Sequence, residues 1–145
     1  MPAPDAGQAT TTLLRTAYNA VSAAIYRTVA EAAGTGLRPA HGNALEMLAI
    51  EDGLRLTDIA AQAGMTTQSM GELVDDLVAK GYLRRQEDPA DRRAKRIYLT
   101  DKGRQAADAG EVATRTAEQQ LQAALGPRQY QQLRRDLAII AHLHL

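Results

Sequence analysis

The sequence predicts a mainly α-helical fold carrying a small antiparallel sheet, and three features of its 145 residues predict it. Long apolar stripes of helical period occupy both ends, two short capped segments surround Gly64, and a polar hairpin pattern lies between Tyr82 and Leu99. The apolar share of 45% is ordinary for one folded domain with its own core. No run of about 18 apolar residues offers a membrane span, and Met1 to Gln8 lacks the basic-then-apolar order of a signal peptide, so the expected location is the cytoplasm. With no cysteine in the chain, disulfides, thiolate metal ligands and thiol redox switches are excluded together.

The chain opens on a stretch with Pro, Ala and Gly that is expected to fray. Leu13, Leu14, Ala17, Val21, Ala24, Ile25 and Val29 then recur at helical spacing up to Gly34, where a long first helix ends. Pro39 suits a first helical turn and opens a second helix through Leu45, Met47 and Leu48 to about Glu51. Asp52-Gly53 is a turn, and Leu54 to Leu56 has room only for a small strand. Thr57 is placed as the N-cap of a short helix holding Ile59, Ala60 and Ala63, which Gly64 stops. Thr66 caps the next helix, which puts Met70, Leu73, Val74 and Leu77 on one face and ends at Lys80-Gly81. Tyr82 to Gln86 and Arg96 to Leu99 are strands joined by a long polar tip, residues 87–95. Thr100 caps a fifth helix with Ala106, Ala109, Val112, Thr116, Leu121 and Leu125, ended by Gly126. Pro127 starts a sixth, with Tyr130, Leu133, Leu137, Ile140 and Leu143 at helical spacing.

The terminal helices each carry an apolar stripe, and the compact middle cannot cover both. Uncovered stripes of that size mark an interface, so the first, fifth and sixth helices are expected to pair with a second copy about a two-fold axis.

The stretch from Leu56 to Asp75 meets the requirements of a helix-turn-helix: Ile59 anchors the first helix, Ala60 allows a close crossing and Gly64 makes the turn. The exposed start of the second helix then offers Thr66, Thr67, Gln68 and Ser69, with Gly71 beside them. Short hydrogen-bonding groups at a helix N-terminus suit phosphate and base-edge contacts in the major groove of double-stranded DNA. Gln68 is the candidate base reader, because its amide pairs in bidentate fashion with adenine.

The charge distribution agrees. The chain totals 17 basic and 17 acidic residues, yet Lys80 to Arg104 holds nine cations against four anions, while His41 to Ala79 holds one against seven. A basic hairpin directly after the candidate recognition helix reads as a wing. Arg92 and Arg93 at its tip suit a minor groove, and Arg84, Arg85, Lys95 and Arg96 lie nearer phosphates. Asp91, two residues before Arg93, is placed to orient that guanidinium by a charge-assisted pair.

From about Leu37 onward the chain resembles the MarR family of winged-helix regulators. The residues that carry the resemblance are Asp88-Pro89-Ala90-Asp91-Arg92-Arg93, followed by Ile97-Tyr98-Leu99-Thr100-Asp101-Lys102-Gly103. The resemblance implies a single domain over 1–145, with a winged helix-turn-helix at 37–100 and dimerisation helices at 10–34 and 101–145. It implies a homodimeric repressor on a pseudo-palindromic operator, released when a small, often phenolic, ligand enters a cleft between the dimer and DNA-binding regions. It also implies that Arg93 is the minor-groove arginine. Glu72 departs from the pattern, since many members carry a basic residue there. Base preference therefore does not carry over: a carboxylate accepts a hydrogen bond from cytosine, or points away from the bases.

By analogy of fold, Tyr18, Tyr26, Arg38 and His41 are the cleft candidates, because an arginine or histidine pairs with an acidic phenol. No cofactor is expected, and no enzymatic site emerges. The three histidines, His41, His142 and His144, have no serine or carboxylate at a nucleophile or metal spacing, and the last two diverge by about 200° on a helix. The alternative reading is a ligand-independent or architectural DNA-binding protein.

Overall fold

The computed structural model describes residues 7–34 and 36–144; the expected fraying of the chain's first residues lies outside them for residues 1–6. The helices are α1 (Thr10–Ala33), α2 (Pro39–Ile50), α3 (Leu56–Gln62), α4 (Thr67–Ala79), α5 (Asp101–Leu125) and α6 (Pro127–Ala141). The strands are β1 (Leu54–Arg55), β2 (Leu83–Asp88) and β3 (Asp91–Leu99), which form one antiparallel sheet in the order β1, β3, β2. This is the mainly helical, winged architecture expected, with local differences at α3, the wing and the buried face of α5.

Local chemistry explains most boundaries. The Thr66 and Thr100 hydroxyls accept from the Ser69 and Gly103 amides, so two of the orphan donors at the starts of α4 and α5 are satisfied. Pro39 and Pro127 occupy the first turns of α2 and α6, where a missing N–H costs nothing. Gly64 adopts φ +64°, a conformation glycine takes freely, and lets Met65 N–H donate to Ala60 O as the chain turns from α3 to α4. At α3 the expectation of a Thr57 cap is corrected: the helix begins at Leu56, with Arg55 in the cap position and no side-chain cap bond. Pairing of Arg55 with Arg96 holds that residue extended and leaves no spacer before the helix.

The hairpin is tighter than its composition suggests. Both strands run almost to the tip, with Pro89-Ala90 as the turn, rather than ending at Gln86 and starting again at Arg96. The register jumps from Glu87 opposite Lys95 to Asp88 opposite Asp91, so Arg92, Arg93 and Ala94 face no residue of β2 and form a bulge.

The core joins Leu45 and Leu48 of α2, Ile59 of α3, Met70, Val74 and Leu77 of α4, and Leu83, Ile97 and Leu99 of the sheet. Ala106 reaches the same core from α5, which also lies along α1. The buried face of α5 is Gly103, Ala106, Ala113 and Ala117: Ala106 is where the stripe places it, while Ala113 and Ala117 take the places expected for Val112 and Thr116, which are exposed. Small side chains there let the helices approach closely. Leu13, Leu14 and Tyr18 on α1 and Leu137, Ile139 and Ile140 on α6 remain exposed.

The start of α5 shows how close the packing is. A Cβ on Gly103 would overlap the Tyr82 carbonyl, which is backbone with no rotamer to yield. Alanine there returns about 1 kcal/mol of helix propensity, while overpacking costs typically about 1–3 kcal/mol. Against a rigid backbone atom the second effect wins. Gly103→Ala is therefore expected to lower the melting temperature by a few degrees in a thermal unfolding experiment.

Candidate nucleic-acid interface

On α4, Met70, Leu73, Val74 and Leu77 are buried, which turns Gln68, Glu72 and Asp75 to the opposite, solvent side. Thr66, Thr67, Gln68 and Ser69 are all exposed at its start. Their roles differ. Thr66 Oγ1 donates to Ser69 Oγ at 2.9 Å while accepting the Ser69 amide, so this pair shapes the cap. Thr67 and Gln68 keep their side-chain donors and acceptors free among the described residues. Gly71 has no side-chain hydrogen-bonding group, and a Cβ there would meet Leu56 only at ordinary contact distance.

The acidic half of α4 is neutralised from its neighbours. Asp75 accepts from Arg85 of β2, and Asp76 accepts from Lys80 at 2.7 Å and from His41 Nε2 at 2.8 Å. His41 is fully buried, and its Nδ1 accepts the Arg38 amide at 2.9 Å, which fixes the tautomer with the proton on Nε2. Burial holds the imidazole neutral by lowering its pKa, against the opposing pull of Asp76. Lys80 also donates to Gly36 O, so the α1–α2 connection, α2 and α4 are tied at one carboxylate.

The wing hangs on a residue that sequence reasoning passed over. Asp88 is 2% exposed, accepts from the Ala90 amide and from Arg55 through Nε and Nη2, and forms an ion pair with Arg96 at 3.2 Å. The Ala90 amide and then Arg55 hold its carboxyl below the usual carboxylate range. The signal available was Asp88-Pro89, a turn-initiating pair whose carboxylate caps its own turn. Asp91 plays a related part, and the expected pair with the Arg93 guanidinium is corrected: its carboxylate accepts the Arg93 backbone N–H at 3.0 Å.

The wing cations divide accordingly. Arg96 is engaged by Asp88 and by Gly53 O, and Arg84 stacks over the Tyr98 ring at 4.6 Å while donating to Gln86. Arg92, Arg93 and Lys95 are exposed, and among the described residues their side chains have no hydrogen-bond or ion-pair partner. The bulge thus presents free cations on a wing whose strand β2 is tied by Arg85 to α4, a helix whose own carboxylates are largely neutralised.

Of the four cleft candidates, Tyr18 lies within electrostatic reach of Tyr26, and the Arg38 amide bonds the His41 ring. Tyr18 is 63% exposed on α1 and Arg38 is exposed, whereas both ring nitrogens of His41 are occupied. Tyr26 lies over Gly42 with its hydroxyl toward Pro39 O, and burial, then Glu46, push its pKa up to about 12. A cavity of about 470 Å³ between α2 and α5 is lined by none of them; Glu46, Asp108, Glu111 and Glu118 line it, with Arg115. Among the described residues no helix is long and apolar enough to cross a membrane.

Residues 35–94 match the model of the MarR family. Among solved structures, the chain is 29% identical to the transcriptional repressor CouR bound to a 23-mer DNA duplex, with a TM-score of 0.78 over 92% of this chain and 93% of that one. It is 27% identical to a probable transcriptional regulator from Pseudomonas aeruginosa, TM-score 0.75, over 90% and 96%. The fold is shared with the S. aureus MepR–DNA complex at 23% identity and TM-score 0.79, over 94% and 99%. No curated protein sequence matches the chain significantly.

Two outcomes follow from the ties. Asp88→Asn removes the charge that gathers Arg55 and Arg96, and is expected to raise amide hydrogen exchange in residues 83–99 by about tenfold or more while α2 and α4 stay protected. The second concerns pH. Below about 6.5 the unfolded chain takes up a proton on His41 that the folded one refuses, so stability falls as pH drops through that range. Lys80 chiefly lowers the pKa of Asp76, as Ala90 does for Asp88, so their contribution is present above the carboxylate range and is lost below about pH 4. Melting temperature against pH should therefore fall in two steps, and His41→Asn, which keeps an acceptor for the Arg38 amide, should remove the first.

Proposed function

We propose that the chain, whose residues 35–94 match the MarR family model, is a transcriptional regulator of that family and acts as a homodimeric repressor on a pseudo-palindromic operator. The observation that carries this reading is the combination of a helix start offering free Thr67 and Gln68 with a wing offering free Arg92 and Arg93 in its bulge and free Lys95 beside it. Gln68 reads a base edge in the major groove, Thr66 to Ser69 approach the backbone there, and Arg93 enters the minor groove. Arg84 and Arg96 set the wing's shape beside the phosphates. The exposed apolar residues of α1 and α6 support a second copy on the two-fold axis, which sets the spacing of the half-sites.

Release by a small ligand of phenolic type is the second part of the reading. Tyr26 and the adjoining Arg38-Pro39 backbone, at the junction of α1 and α2, support a site there. The acid-lined cavity between α2 and α5 favours a neutral or cationic compound over a phenolate in that neighbouring space. Thermal shift against a broad panel of phenols tests it, and the absence of any stabilisation removes this part.

The main experiment is binding to a duplex from the protein's own upstream region against random DNA, with salt titrated and stoichiometry recorded. Tight, salt-sensitive and sequence-selective binding by a dimer is expected. Arg93→Ala should weaken binding to the operator by losing the wing contact. Gln68→Ala should change base preference at one position per half-site, at a discrimination of about 1–3 kcal/mol. Equal loss by both variants on every duplex would contradict the assigned roles, and a monomer without preference would favour an architectural role.

A further inference from the structure

The solvent-facing ridge of α4 carries an unpaired negative charge. Of the three carboxylates in this helix, Asp75 is held by Arg85 and Asp76 by Lys80 and His41. Glu72 is exposed and has no partner among the described residues. It lies one turn after Gln68, about 40° around the helix and about 6 Å along it, opposite the buried Met70 and Val74.

On a surface laid against DNA, a free carboxylate meets phosphate repulsion and gains nothing from acceptors. An ionised glutamate only accepts hydrogen bonds, so guanine N7 and O6 and thymine O4 repel it, while exocyclic amines attract it. Adenine sets its amine beside the N7 acceptor. Cytosine sets its amine beside C5–H, which carries no lone pair. We propose that Glu72 is a specificity-determining residue that selects a cytosine in each half-site through its N4 amine. With a base-pair step of about 3.4 Å, that cytosine lies within about two base pairs of the position read by Gln68. The proposal rests on the sequence-specific DNA binding proposed above.

The same carboxylate works against every other sequence. Its charge lowers affinity for random DNA, so Glu72 sharpens specificity by repulsion as well as by attraction. The neutralisation of Asp75 and Asp76 confines the penalty to this single position on the helix.

The test is selection from a random duplex library with the full-length wild-type protein, Glu72→Ala and Glu72→Gln, each checked for an unchanged melting temperature. Wild type should enrich a cytosine beside the Gln68-dependent position. Glu72→Ala should lower that preference about fivefold or more, leave the other columns intact and bind random DNA more tightly. Glu72→Gln should shift the column toward adenine, which an amide pairs in bidentate fashion. A wild-type motif without that cytosine, or one that Glu72→Ala leaves unchanged, would overturn the proposal while leaving the repressor reading in place. A folded wild-type dimer that enriches no motif at all would remove the sequence-specific reading, and this inference with it.

Discussion

Tyr82 is the joint through which the DNA-facing unit and the long helices are held together. It is 1% exposed, and each of its polar groups reaches a different element. Its amide donates to Leu77 O at the end of α4, its carbonyl accepts the Thr100 amide at the start of α5, and its hydroxyl donates to Ala33 O at the end of α1. Lys102 lies over its ring at 4.3 Å and donates to Lys80 O. Gly103 leaves room for the carbonyl. A buried tyrosine with every polar group bonded fixes angles rather than merely filling volume, since a shift in any partner leaves a donor or acceptor unsatisfied. The position of α4 relative to α1 and α5 is set here.

Charge does a second kind of positioning. A formal charge of zero is compatible with a basic binding surface because the carboxylates are used internally. Asp52 accepts from the Leu99 amide and from Arg104, Asp76 gathers His41 and Lys80, and Asp88 gathers Arg55 and Arg96. Exposed ion pairs such as Asp52–Arg104 contribute about 0–1 kcal/mol each, and for the buried Asp88 the cost of desolvation offsets much of the attraction. What they determine is which cations stay free. Removing Arg55, Arg84, Arg85 and Arg96 from circulation leaves Arg92, Arg93 and Lys95 as the available charges on the wing.

Where structure depends on a few neighbouring residues, the sequence is a sufficient guide. Thr66, Thr100, Gly64, Pro39 and Pro127 each act within one turn of their own position, and all of them are where their chemistry places them. The wing was read too short because residues 87–95 are polar throughout, and polarity signals a loop only when nothing distant pairs with it. Here Asp88 is buried by Arg55, a residue 33 positions away, and that tie extends both strands. The middle of the α5 stripe, at Ala113 and Ala117 rather than Val112 and Thr116, departs from periodicity for a comparable reason. Periodicity favours the larger Val112, whereas the close approach of α1 selects alanine and glycine, and closeness is a property of the pair of helices. For the site, Gln68 and the free arginines were legible as exposed polar groups, while the anchoring role of Asp88 required the fold.

His41 illustrates how position changes the meaning of a residue. In the sequence it is a titratable group near a presumed cleft; in the fold it is neutral, buried and bonded at both ring nitrogens. One nitrogen completes the start of α2 by accepting the Arg38 amide, and the other points to Asp76 on α4. Because the same carboxylate binds Lys80, which reaches Gly36 O, the connection from α1, the first turn of α2 and the last turns of α4 share one acceptor. Rearrangement at any of these would break a bond at the others, so the three segments hold their mutual geometry as one body. The face of α4 that carries Gln68 and Glu72 is thereby aimed from α2 through Asp76, a site separate from the wing's own anchor at Asp88.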